Sequence, residues 1–122
     1  MKPPYLAYLA TPYSKYPSGP ENAFRAAAHL AGRLLKAGVT VYSPITHTHP
    51  IAVHGELDPL DHKIWLPFDQ LMMDRCDVLI VALMESWRES KGVQYEIEYF
   101  TKAGKPIFDL DPSTLSMVRR GI

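Results

Sequence analysis

Three groups of side chains in this 122-residue sequence have types and spacing that could do chemistry. The first is Ser86–Gly104, SWRESKGVQYEIEYFTKAG, where Ser90 and Gly92 lead into a helical pattern that carries Glu96. A strand, a Ser/Gly turn and a helix in that order aim backbone N–H groups and a helix dipole at a sheet edge, where an anion binds. With Val93, Ile97 and Phe100 as the buried stripe, Glu96 lies roughly 65° from its middle and Glu98 roughly 130°, at about 100° per residue. Glu98 should face solvent. Glu96 should sit on the shoulder of the core face, partly desolvated. The plain alternative is a boundary carboxylate that reaches out to water or pairs with Lys102 or Arg88.

The second candidate is Asp69. One helical turn away from it are Trp65, Met72 and Met73. Apolar neighbours desolvate a carboxyl and favour its protonated form. Its plain alternative is an acid near a helix N-terminus, placed by the dipole close to Pro67. Asp74, beside Gln70 and Asp77, reads as a solvated surface acid. Two carboxylates on adjacent helices of one crevice suit glycosidic bond cleavage: one attacks or stabilises the sugar cation, the other protonates the leaving group.

The third group is His47, His49, His54 and His62, with Asp58 and Asp61 nearby. These types could ligate a metal in a hydrolase. Their spacing matches no strong signature, so no metal and no cofactor are expected.

The elements that must position these residues follow from the pattern. Tyr5–Ala10 reads as a buried first strand, and Thr11–Pro20 as a turn-rich loop. A helix starts at Glu21 and closes at Gly38, with Ala23, Ala27, Leu30, Ala31 and Leu34 at helical spacing. Val39–Ser43 is β-branched and reads as the second strand. Pro44–Lys63 has no clear period and reads as a long irregular connection. A helix is expected over Pro67–Arg75, or from slightly earlier with Pro67 in its first turn. Asp77–Leu83 is the clearest buried strand. Helix Gly92–Ala103 and strand Ile107–Leu110 follow, and the last dozen residues read as one short helix from Pro112. Near-continuous apolar strands alternating with helices argue an α/β, three-layer Rossmann-like (flavodoxin-like) fold. Its four- to five-stranded parallel sheet would carry helices on both faces and bind ligands at the carboxyl ends of its strands.

Composition narrows the classes. Hydrophobic residues make up 47%, enough for a core, and 13 acidic residues balance 13 basic ones, so no excess charge points to nucleic acid. A single cysteine, Cys76, forbids an internal disulfide and reads as a buried thiol beside a core strand. No apolar run reaches the length of a membrane span, and Met1-Lys2-Pro3-Pro4 opens no signal-like region. One cytoplasmic domain over residues 1–122 is expected.

The run DQLMMDRCDVLIVAL, followed by SKGVQYEIEYFTKAGKPI, resembles the nucleoside 2-deoxyribosyltransferase superfamily. Asp69 precedes Asp77 by eight residues and Gly92 precedes Glu96 by four, both as in that superfamily. The opening YLATPYS is similar to its first strand and loop. The likeness spans Tyr5 to Ile107 and extends to small bacterial members of the superfamily. Ser90 stands where transferases of free nucleosides carry Asp. The run Ser-x-Gly-Val-x-Tyr-Glu is instead similar to 2′-deoxynucleoside 5′-monophosphate N-glycosidases, whose serine binds the 5′-phosphate. Their glycine-rich, arginine-containing first loop is replaced here by TPYSKYPSG.

The resemblance implies an N-glycosidase or deoxyribosyltransferase acting on a nucleoside or nucleoside 5′-monophosphate. Glu96 would be the nucleophile, Tyr8 would orient it and Asp69 would protonate the base. Thr11, Tyr13, Ser14, Ser90, Gly92, Trp65 and His47 would contact substrate, Ser90 at the 5′ end and Tyr13 by stacking on the base. It also implies a homodimer or larger homo-oligomer. The rivals are a non-catalytic nucleotide-binding domain and the metal-dependent hydrolase of the histidine segment.

Overall fold

A computed structural model describes residues 5–121; Ile122 and the Met1–Pro4 opening lie outside the described residues. Residues 5–121 form an α/β structure with a five-stranded, mostly parallel sheet and four helices. The strands are β1 (Ala7–Ala10), β2 (Val41–Tyr42), β3 (Val78–Ala82), β4 (Ile107–Leu110) and β5 (Met117–Arg119). The helices are α1 (Pro20–Lys36), α2 (Pro44–His54), α3 (His62–Arg75) and α4 (Lys91–Lys102). The sheet order is β2-β1-β3-β4-β5, with the first four strands parallel and β5 antiparallel to β4.

Alternation along the central strands explains the two apolar clusters, because successive side chains of a strand point to opposite faces. Ala7, Leu9, Val78 and Ile80 pack with Leu30, Ala31 and Leu34 of α1. Tyr8, Ala10, Leu79 and Val81 pack with Met73 of α3 and Val93 and Phe100 of α4. The side chains of β1 and β3 are buried throughout, which is why these segments read as unbroken apolar runs rather than alternating ones. Removing the Phe100 ring from this second cluster would cost about 3–5 kcal/mol.

Helix ends follow the expected chemistry where a turn requires it. Gly38 after α1 and Gly104 after α4 both take positive φ, 89° and 69°. In each case the next amide bonds back into the last turn, Val39 to the Leu34 carbonyl and Lys105 to the Phe100 carbonyl. Asp61 caps α3, its side chain accepting from the Lys63 amide.

Three expectations are corrected. The first eleven residues of the irregular Pro44–Lys63 segment are helix α2. Its apolar and polar residues are mixed around the axis and Pro50 lies inside it, so periodicity hides it; Ser43-Pro44 before it and Gly55 after it are its start and stop signals. Helix α3 begins at His62, which puts Pro67 in its interior rather than its first turn. The chain after Pro112 is not a helix but a turn into β5. Asp111 Oδ1 accepts from both the amide and the hydroxyl of Ser113, the Asp111 amide donates to the Ser116 carbonyl, and Leu115 takes φ 66°. That side-chain bond closes a turn where a helix would otherwise start. The sheet thus gains an antiparallel edge strand.

No described helix is long and apolar enough to cross a membrane.

Candidate functional site

A cavity of about 540 Å³ opens where β1 and β3 end, walled by the loop after β1, by α2 and α3, and by the start of α4. Its size suits a small molecule. Each wall is placed by a local feature of the sequence. Ser90 caps α4, its hydroxyl oxygen accepting from the Val93 amide at 3.2 Å, and is buried. The cap leaves the Ser90 hydroxyl proton to donate elsewhere. With the free amides of the first turn it forms an anion-receptive end beside Gly92.

Glu96 lies one turn further along α4 and lines the cavity, while Glu98 is exposed and paired with Lys102 at 2.8 Å. Two residues apart on the helix, and so about 160° apart around its axis, the two carboxylates fall one inside the site and one outside it. Burial pushes Glu96 up to about 8; interaction with Tyr8 lowers it and the charge of Asp69 raises it. Asp69 lines the cavity from α3, and burial pushes it up to about 6.

The two helices that carry these acids are tied together by two bridges one turn apart. Gln70 Nε2 donates to Tyr95 Oη at 2.6 Å, and Tyr99 Oη donates to Asp74 Oδ1 at 2.7 Å. Lys105 closes the far end, its ammonium donating to the carbonyls of Met73, Asp74 and Cys76. Cys76 is a buried free thiol, pushed up to about 11 mainly by burial.

Tyr8 stands behind the acids on β1, fully buried, its ring 5.7 Å from Tyr42 and 5.9 Å from Phe100. Burial raises its pKa first, then the charges of Glu96 and Asp69. The Tyr8 hydroxyl is close enough to Glu96 for each to shift the other, yet it has no well-formed hydrogen bond. Tyr42 Oη, Asp69 Oδ1 and Thr11 Oγ1 are likewise buried without a partner. Each such atom costs about 1–3 kcal/mol, and polar atoms left so are a feature of sites that bind something polar.

The other residues singled out by sequence divide cleanly. Thr11, Tyr13, Ser14 and Trp65 line the cavity with Ser90 and Gly92. The Trp65 indole N–H donates to the Asp58 carbonyl at 2.8 Å, which fixes the ring plane at the wall. His47 is exposed and outside the lining; it stacks on Phe68 with ring centroids 5.4 Å apart. Its neighbour His49 lines the cavity instead, buried between Tyr13 and Glu21. Sequence reasoning missed His49 as a cavity residue because α2 was not recognised as a helix; two positions along a strand or loop do not tell which histidine turns inward. No group of three or more His, Cys, Asp or Glu side chains among the described residues is placed to hold a metal ion.

A family described as "Domain of unknown function (DUF1937)" matches residues 6–111, from before β1 to just past β4. None of the curated proteins matches the chain.

Proposed function

We propose that this chain, which belongs to the DUF1937 family, cleaves or transfers the N-glycosidic bond of a nucleoside or nucleoside 5′-monophosphate, with Glu96 as nucleophile. One observation carries the reading: Glu96 and Asp69 share a cavity, the charge of Asp69 bears on Glu96, and the Tyr8 hydroxyl is buried behind them. We read the sheet and its two apolar clusters as three layers of the flavodoxin-like kind, in which ligands sit at the carboxyl ends of the strands. The cavity lies at that end.

In this mechanism a Glu96 oxygen bonds to the anomeric carbon as the bond from that carbon to the base nitrogen breaks. Asp69 gives its proton to the departing base. Water, or a second base, then attacks the same carbon and frees Glu96. Ser90 and the amides at the start of α4 hold the 5′ end, and Tyr8 turns its hydroxyl toward the ionised Glu96. In the free protein the proton prefers Glu96, at about 8, over Asp69, at about 6. The reactive arrangement is therefore the minor one, and a bound ligand that frees Glu96 favours it.

The same proton placement favours a second reading, a nucleotide-binding domain without catalysis, in which protonated Glu96 bonds a ribose hydroxyl. Incubation with nucleosides and nucleoside 5′-monophosphates, followed by chromatography for free base, separates the two. Base release by wild type and none by Glu96→Ala is expected. Tight binding with no free base after long incubation would leave only the second reading, and full activity in Glu96→Ala would remove the nucleophile.

A further inference from the structure

Across the cavity from the acid pair, three side chains form a line of hydrogen bonds from the surface inward. Glu21, on the first turn of α1, is largely exposed and uses its two oxygens separately. Oε2 lies 3.1 Å from Arg25 Nε, and Oε1 lies 3.0 Å from His49 Nε2. On the other side of the ring, His49 Nδ1 lies 2.7 Å from Tyr13 Oη. The imidazole is buried and stacked on Phe24, with ring centroids 4.9 Å apart, so its plane is fixed.

The direction of each bond follows from what the groups can do. The His49 bond, and then Arg25, hold Glu21 below the usual carboxylate range, so near neutrality it only accepts. His49 Nε2 must carry the proton. In the neutral ring Nδ1 is then a bare lone pair, and the Tyr13 O–H is the donor beside it. Burial and the Glu21 charge raise the Tyr13 pKa, so that proton stays on the phenol. Only the lone pairs of Tyr13 Oη remain for a ligand.

We infer that the Glu21–His49–Tyr13 line makes Tyr13 Oη an acceptor-only point in the cavity wall, and that the ligand group seated there is a neutral hydrogen-bond donor. Tyr13 then acts as a specificity residue, with His49 and Glu21 as positioning residues. The inference rests on the nucleotide reading above for the ligand's identity. Within that class the donor is either an amino group on the base or a hydroxyl on the sugar. A carbonyl or phosphate oxygen at this point would meet lone pairs and be disfavoured.

Two measurements test it. Nitrogen-15 spectra of the histidine rings should show His49 protonated at Nε2 and bare at Nδ1; a ring that carries a proton at Nδ1, with or without one at Nε2, overturns the inference. Calorimetric titration then compares 2′-deoxyadenosine 5′-monophosphate with 2′-deoxyinosine 5′-monophosphate, which replaces the amino group by an oxo group. It also compares adenosine 5′-monophosphate with its 2′-deoxy counterpart, which lacks one sugar hydroxyl. One pair should show a preference of about five- to tenfold for the donor-bearing ligand, the size of one net hydrogen bond. That preference should vanish in Tyr13→Phe, which keeps the ring and removes only the hydroxyl. Preferences that are absent, or that persist unchanged in Tyr13→Phe, overturn the inference even if base release is observed. If wild type binds none of the four nucleotides while the His49 spectrum is as stated, the nucleotide reading fails and the direction of the hydrogen bonds stands.

Discussion

Replacing Asp69 by Asn should change the shape of the pH profile, not only its height. Burial raises both carboxyls, Asp69 to about 6 and Glu96 to about 8, and the charge of Asp69 adds to the rise at Glu96. The proposed mechanism needs Glu96 ionised and Asp69 protonated, the less favoured of the two singly protonated forms. With values of about 6 and 8 the favoured form outweighs the reactive one by at most roughly a hundredfold, so at least about one free molecule in a hundred is poised at pH 7. For wild type, kcat/KM should be bell-shaped, falling below about pH 6 and above about pH 8. In Asp69→Asn the neutral amide removes a like charge, so Glu96 falls below about 8 and at least about one molecule in ten is ionised at pH 7. The reactive fraction rises about tenfold, while loss of the proton donor costs about 10²- to 10⁴-fold. The net fall in kcat/KM at pH 7 is then about ten- to a thousandfold. The descending limb above pH 8 should disappear, because ionised Glu96 needs no second proton in the variant. The assay is chromatographic release of free base from a nucleoside monophosphate that wild type cleaves, between pH 5 and 10. A variant that keeps the descending limb, or loses nothing at pH 7, would refute both the role of Asp69 and the protonation argument.

Other perturbations read the same geometry through stability and binding. Glu96 has a folded-state pKa raised from 4.5 to about 8, so its protonated form is the one folding favours. Its contribution is full below about pH 4.5 and lost as pH rises through 8. Glu96→Gln should therefore melt on the order of 10 °C higher than wild type at pH 9, and no higher at pH 4, by calorimetry; an equal gain at both would mean that ionisation is not the cause. Ser90→Ala should lose about 1 kcal/mol of stability with its cap and lose affinity for monophosphates while keeping that for nucleosides; an equal loss for both in competition binding would deny it a phosphate. Lys105→Met strips the donor from three carbonyls at the end of α3 and should cost about 1–3 kcal/mol in urea unfolding; an unchanged midpoint would show that water replaces it.

Much of this was readable from residue order, for reasons that differ between elements. β1 and β3 are buried by the helices around them, so their apolar runs stand out whatever the context, while β4 is buried only at Ile107 and Leu110. α1 and α4 each bury one face and expose the other, so their spacing declares them, and with them the inward turn of Glu96 and the outward turn of Glu98. α2 failed this test because its one buried stripe, Ile45, His49 and Ala52, includes a histidine while the apolar Ile51 and Val53 are exposed. Side-chain type and exposure are decoupled along it, and only its end signals remained to mark it. The C-terminal turn was hidden for another reason. Its geometry rests on the Asp111 side chain bonding two residues ahead, a local device that no periodicity records. His49 and His47 show the same limit at the level of one side chain, since their inward and outward directions depend on a helix that the pattern did not reveal.

The bridges between α3 and α4 have a consequence for how this molecule can change over evolutionary time. Gln70–Tyr95, Asp74–Tyr99 and the Lys105 clasp brace Asp69 against Glu96 without using α2 at all. The opposite wall hangs from the hydrogen bonds of His49 to Tyr13 and Glu21. Under the proposed roles, reactivity and selectivity rest on separately braced parts of one chamber. A lineage could refashion the histidine wall to admit a new ligand while the machinery facing it stayed as it was.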